Sequence, residues 1–227
     1  MSRIALILCG GKGTRFRTVS TSPKILARFG NKLFFDWIVE YLKNNGFEKV
    51  ILSVGYKSKE ISNYVEKNRN KFSIEIDFCH EDTPLGTGGA IINFFKKTNL
   101  QDIFVFNGDT YWPNPIPEAF FEKKLDVAIC LATSLERNDR YGDFMIRNEK
   151  LLVSRGSPAR VIHNSLVYVG ISRLSCSATL DLPTVNCSLE ELLSKHEKGI
   201  FLLQETMPFF DYGTPEAYAA LEKYSNG

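Results

Sequence analysis

The sequence predicts an α/β fold with a mixed, mostly parallel central sheet covered by helices on both faces. Two observations carry this expectation. The first half alternates short apolar runs with amphipathic stretches in the order β-α-β-α-β-α-β, which implies parallel strands joined by crossover helices. No repeat, low-complexity block or Pro/Ser-rich linker divides the 227 residues, a length that allows one large α/β domain with a substantial core or two small ones.

Each element has its own signal. Ile4–Leu8 is a continuous apolar run of strand length. Residues 34–44 carry Phe35, Ile38, Val39 and Leu42 at helical spacing and stop at Gly46, a fitting helix end. Val50–Val54 reads as the next strand, and 57–68 as a helix with Ile61, Tyr64 and Val65 inward. Ile74–Cys79 is a strand, Gly88–Lys97 a helix and Ile103–Phe106 a strand. The second half adds strands near 127–132, 166–171 and 200–205, a helix over 189–196 and a last helix over 215–224. The sum is a three-layer, Rossmann-like arrangement in a single domain, 1–227. Such sheets bind ligands where loops leave the carboxyl ends of their strands. The chemistry is therefore expected just after Leu8, Cys79 and Phe106.

Composition excludes several classes. The formal net charge is only +2, from 28 basic and 26 acidic side chains, so nothing argues for a nucleic-acid or membrane-surface partner. An anion site must be a local cluster. Cys9, Cys79, Cys130, Cys176 and Cys187 form no CxxC pair and have no histidine at metal spacing, so free thiols in a reducing cytoplasm are expected. The apolar Ile4–Leu8 stops at Gly10-Gly11, too short for a signal peptide or a membrane span. The aromatics Tyr111-Trp112 and Phe120-Phe121 are compatible with a homodimer interface or with a second apolar layer, the latter being the default.

The first strand runs into Leu8-Cys9-Gly10-Gly11-Lys12-Gly13-Thr14-Arg15. Glycines at 10, 11 and 13 let the backbone approach a phosphate and turn its N–H groups inward. Arg15 adds a charged fork suited to phosphate oxygens, and Lys24 after Pro23 supplies a second cation. The spacing is neither a Walker A loop nor GxGxxG, because no GK[ST] closes the loop and Phe16 stands where the last glycine belongs.

These residues carry a resemblance. GGKGTRF followed by SPKILARFGNK resembles the G-G-x-G-T-R-L and P-K-x-L signature of the sugar-1-phosphate nucleotidyltransferases. The resemblance implies the nucleotide-diphospho-sugar transferase type of the fold, with 1–110 as the nucleotide-binding half and 111–227 as the sugar-binding half that brings a second metal ligand. It implies a reaction in which a sugar 1-phosphate oxygen attacks the α-phosphorus of a nucleoside triphosphate and pyrophosphate leaves. Backbone and side chains at Leu8, Cys9, Gly10, Gly11, Gly13 and Thr14 are then expected on the nucleotide, with Arg15 on the leaving pyrophosphate and Lys24 on the α-phosphate and sugar phosphate.

Later motifs follow in the family's order. Glu81-Asp82-Thr83-Pro84-Leu85-Gly86-Thr87-Gly88-Gly89-Ala90 resembles the P-L-G-T-[AG]-G-A loop that lines base and ribose, which places Pro84, Gly86 and Thr87 on the nucleotide. The helix start there offers free N–H groups. Guanine presents two adjacent donors that one carboxylate can accept, so Glu81 points to GTP. Gly108-Asp109 and Asp211-Tyr212-Gly213-Thr214-Pro215 resemble the family's G-D and D-x-G-T-P motifs, whose aspartates hold a divalent cation. Magnesium (Mg2+) takes one or two carboxylates plus substrate phosphates, and Asp109 and Asp211 are the expected pair. Gly108 joins the nucleotide set.

The sugar side matches in part. Arg140-Tyr141-Gly142 resembles the R-Y-G element of heptose and mannose members, and Asn164 falls where the family has N-x-G-x-Y, with Leu166 in place of the glycine. Tyr141, Gly142 and Asn164 are the expected sugar contacts. The family's Glu-Lys pair is missing from 153–160, where Arg155 and Arg160 are the available cations. The nearest branch is the D-glycero-α-D-manno-heptose-1-phosphate guanylyltransferases. Three readings stay open beside it: a mannose-1-phosphate guanylyltransferase, a same-fold cytidylyl- or thymidylyltransferase, and a non-catalytic sugar-nucleotide sensor.

Overall fold

The computed structural model describes residues 2–16, 18, 20–122, 127–133, 143–147, 150–154, 166–179, 181–193, 200–204 and 209–225. The chain opens with β1 (Ile4–Leu8), two 3-10 turns (Thr14–Phe16 and Lys24–Leu26) and a short pair, β2 (Arg28–Phe29) and β3 (Lys32–Leu33). Then come α1 (Phe34–Asn44), β4 (Lys49–Val54), α2 (Ser58–Asn68), β5 (Glu75–His80), α3 (Gly86–Lys97), β6 (Asp102–Asn107), β7 (Thr110–Tyr111) and α4 (Ala119–Glu122). The second half holds β8 (Val127–Thr133), β9 (Asp143–Arg147), β10 (Lys150–Ser154), β11 (Leu166–Ser175), α5 (Leu189–Leu193), β12 (Ile200–Gln204), β13 (Phe210–Asp211) and α6 (Pro215–Ser225).

Among the described residues nine strands form one sheet, ordered β10-β9-β11-β6-β1-β4-β5, with β8 beside β11 and β12 beside β8. The first half contributes only parallel pairs: β1 with β4, β1 with β6, and β4 with β5. The sheet becomes mixed at β11, which runs antiparallel to β6, β8 and β9. The β9–β10 hairpin and the full length of β11 were not legible in the sequence. Its register with β8 shifts between Tyr168 and Ser172, where Gly170 has φ +81°. A left-handed residue in a strand marks a bulge, which only glycine adopts cheaply.

Strand alternation splits the core into two layers. Ala5, Ile7, Val50, Leu52, Val54, Phe104 and Phe106 face α1 and α2, while Leu6, Ile51, Ile103 and Val105 face α3 and α5. Both faces are buried, which is why the strands read as continuous apolar runs. Helix α1 ends as expected: Gly46, at φ +77°, donates to Lys43 O, and Phe47 N donates to Leu42 O at 3.0 Å, the Schellman pairing. Trp112 and Phe120 are buried and Tyr111 and Phe121 pack against the first core, so these aromatics form an inner layer. Among the described residues no helix is long and apolar enough to cross a membrane.

Candidate active site

The parallel strands end together, and the loops that leave them line one cleft of about 410 Å³. The loop after β1 forms its floor. Cys9 N donates to Ser53 O at 3.0 Å, and Tyr56 N to Gly10 O at 3.2 Å, so the first glycine is tied to the end of β4. Gly13 takes φ +56°, and Phe16 N closes back on Gly13 O at 2.9 Å. Phe16 is buried against the rings of Tyr212 and Tyr218, at 5.9 and 5.4 Å. That anchor holds Thr14 and Arg15 at the exposed rim. Arg15 has no carboxylate partner among the described residues. A Cβ at Gly11 would meet no atom of the chain within 4 Å, so the fold leaves open space beside that backbone.

The second wall follows β5. Glu81 N donates to Val54 O at 2.8 Å. Its carboxylate receives Ser53 Oγ at 2.8 Å and Leu85 N at 3.4 Å, and it lies against Gly10, where any Cβ would overlap Oε1. Glu81 is thus fixed in the cleft and is not a solvated loop residue. Burial, and then the Glu81 charge, pushes the Cys9 thiol well above its ordinary pKa.

The glycines of this loop have a different cause from the one expected. A Cβ at Gly86, Gly88 or Gly89 would overlap the backbone oxygens of Cys187, Ser188 or Val185. The start of α3 is clasped by the chain's own segment 185–188. The N–H groups of Gly88 and Gly89 both donate to Cys187 O, at 3.0 and 3.2 Å, so they are not free for a ligand as expected. Thr87 Oγ1 accepts from Leu189 N at 2.7 Å and caps α5. Helix α3 also begins at Gly86, two residues earlier than its apolar pattern suggested. Pro84, Gly86 and Thr87 still line the cleft.

The acidic wall comes from two distant segments. Asp109 follows β6, where Gly108 N donates to Leu8 O at 3.1 Å. Asp211 ends β13, which pairs antiparallel with β7 so that Asp211 opposes Thr110. Tyr212 N donates to Asp109 O at 3.1 Å. The two aspartates therefore stand side by side, and both line the cleft. Asp211 Oδ1 accepts from Gly213 N at 2.8 Å. Lys24 Nζ pairs with Asp109 Oδ2, so a cation already rests on one carboxylate. Among the described residues no three His, Cys, Asp or Glu side chains come together as a metal cluster. A pair of carboxylates suits an ion that completes its shell with phosphate oxygens.

Sequence reasoning missed the residue that joins these walls. Tyr212 is fully buried, and its hydroxyl donates toward Lys24 O at 3.1 Å and Gly108 O at 3.2 Å. Its ring meets those of Phe29 and Phe34 edge-on, at 4.9 and 4.6 Å. Burial first, then the charges of Asp109 and Asp211, raise its pKa well above the ordinary phenol value. An aromatic between the aspartate and the glycine of an otherwise polar motif was the available signal. The expected sugar contacts Tyr141, Gly142 and Asn164, together with Arg140, Arg155 and Arg160, lie outside the described residues.

The nucleotidyl transferase family profile matches residues 4–155. A D-glycero-alpha-D-manno-heptose 1-phosphate guanylyltransferase from Campylobacter jejuni is 37% identical over 94% of this chain and 96% of its own length. One of the same name from Aneurinibacillus thermoaerophilus is 30% identical over 96% of each chain. The crystal structure of HddC from Yersinia pseudotuberculosis complexed with GMP-PN superposes with a TM-score of 0.81. It is 32% identical and covers 99% of this chain and 100% of that one.

Proposed function

The chain belongs to the nucleotidyl transferase family, and on that premise we propose that it transfers GMP from GTP to a heptose 1-phosphate, releasing pyrophosphate and forming a nucleotide-activated sugar. Two relatives of nearly full coverage bear the name of that activity, and a third was crystallised with a guanine nucleotide. Within the chain, one observation carries the reading. Arg15, Lys24, Asp109 and Asp211, drawn from three separate segments, line a single cleft together with Glu81.

The roles follow from placement. The glycine-rich loop receives the triphosphate, and the open space beside Gly11 lets phosphate oxygens reach the backbone. Arg15, exposed at the rim, meets the β- and γ-phosphates and the pyrophosphate that departs. Lys24 neutralises the α-phosphate and the incoming sugar phosphate. Glu81 reads the paired donors of guanine. Asp109 and Asp211 are the residues that would hold a magnesium ion, whose chemistry is to offset phosphate charge at the displacement. A sugar-phosphate oxygen forms a bond to the α-phosphorus as the bond to the bridging oxygen of pyrophosphate breaks. No side chain becomes covalently attached. Positioning and charge stabilisation carry the rate. Tyr141, Gly142 and Asn164 are proposed for the sugar, and the protein acts in the cytoplasm.

The test is a matrix of GTP, ATP, CTP, UTP and dTTP against heptose, mannose and glucose 1-phosphates, scored by pyrophosphate release. The highest turnover is expected for GTP with the heptose. A preference for CTP or dTTP, or tight binding of GDP-sugar without any turnover, would refute the proposal.

A further inference from the structure

We propose that Ser53, at the end of β4, is a specificity-determining residue that aims the Glu81 carboxylate at the guanine 2-amino group. The inference rests on the reading of Glu81 given above.

Ser53 is an anomaly in its strand. After Lys49, which opens the strand partly exposed, Val50, Ile51, Leu52 and Val54 are apolar and buried, and Ser53 interrupts that buried run as a polar residue, itself 0% exposed. A buried hydroxyl in an apolar strand costs free energy unless it is hydrogen-bonded, and packing alone would be served by alanine. Its single proton goes to Glu81 Oε1 at 2.8 Å. Its carbonyl accepts from Cys9 N at 3.0 Å and from Cys9 Sγ at 3.1 Å. Among the described residues, Ser53 therefore bonds to both the phosphate-loop floor and the base-reading carboxylate. In the sheet register it sits between Leu8 of β1 and Cys79 of β5, the two strands whose exits carry those groups.

Counting lone pairs shows what this fixing achieves. A carboxylate offers about four acceptor sites. Ser53 Oγ occupies one, and Leu85 N, at 3.4 Å, another on the opposite oxygen. Two sites remain, one on each oxygen, and the two donors restrain the rotation of the carboxylate that carries them. Guanine N1–H and N2–H are a matching pair of parallel donors. Gly10 bounds the carboxylate on its other side, since a Cβ there would overlap Oε1. Without the Ser53 proton only Leu85 N, at 3.4 Å, still holds the carboxylate, so Oε1 can shift and the alignment with the outer donor, N2–H, is lost first.

The experiment compares GTP with ITP, which lacks the 2-amino group, in wild type, Ser53→Ala, Ser53→Thr and Glu81→Gln. For Ser53→Ala the GTP/ITP ratio of kcat/KM is expected to fall about tenfold, the size of one charge-assisted hydrogen bond. The loss should lie in the KM for GTP, with kcat little changed. Ser53→Thr keeps the hydroxyl and should restore the ratio. If Ser53→Ala fails to fold, Ser53→Cys, nearly isosteric with a weak donor, carries the same prediction at smaller size. An unchanged ratio in folded Ser53→Ala, alongside a lowered ratio in Glu81→Gln, would overturn the role of Ser53 and leave the base reading intact. An unchanged ratio in Glu81→Gln would remove both.

Discussion

Lys24 Nζ donates to Asp109 Oδ2, so a cation from the loop after β1 rests on the carboxylate that follows β6. The side chains are 18% and 31% exposed, so the pair is reachable by an anionic substrate and its counter-ion. Near-surface pairs of this kind contribute about 0–1 kcal/mol to stability. In the proposed reaction its value lies in holding both groups where phosphate charge must be met.

Replacing Asp109 with Asn separates the two roles. The amide keeps the shape and loses the charge that would hold a divalent ion. We expect kcat to fall about a hundredfold or more, measured by pyrophosphate release, with the thermal midpoint shifted by no more than about 4 °C. A chelator should stop wild-type turnover and added magnesium restore it. Near-normal activity in the folded variant would remove the metal role.

Tyr212→Phe tests how the walls are joined. The hydroxyl bonds to Lys24 O and Gly108 O are lost inside the core, at a cost of about 1–3 kcal/mol. Loosening Lys24 and the turn before Asp109 should lower kcat about tenfold. A variant that is destabilised but fully active would show that the tyrosine serves only packing.

Gly86→Ala attacks the clasp on α3. The position has φ +69°, and a Cβ would overlap Cys187 O, so strain and overpacking add to about 2–6 kcal/mol. Thermal denaturation should show the loss, and the KM for GTP should rise because segment 185–188 no longer seats against Pro84 and Leu85. An unaltered melting curve would argue against the clasp.

Alkaline pH should weaken the fold. Burial raises the pKa of Cys9 and of Tyr212 in the native state. Above about pH 8.5 for the thiol and about pH 10 for the phenol, the unfolded chain releases protons that the native chain keeps. The native state then binds more protons than the unfolded one, so stability is full below these values and falls as pH rises through them. Urea midpoints at pH 7, 9 and 10.5 should decline in that order, and Cys9→Ala should lessen the drop between the first two. A flat series would contradict the raised values of both groups.

Much of the fold was legible in the chain itself, because side-chain periodicity is a local property. The apolar run Ile4–Leu8 and the helical spacing over 34–44 match β1 and α1 to the residue. The loops expected to carry chemistry, after Leu8, Cys79 and Phe106, all line the cleft, beside Lys24, Asp211 and Gly213. Asp109 and Asp211 could be named from their motifs. What those motifs do not contain is a partner. That Asp211 stands beside Asp109 was decided by the pairing of β13 with β7. That the α3 glycines admit segment 185–188, that Tyr212 reaches Lys24, and that Ser53 holds Glu81 were decided the same way. Each depends on the register between segments far apart in the chain, and register is set by the packed sheet and its two cores, which no stretch of sequence encodes alone.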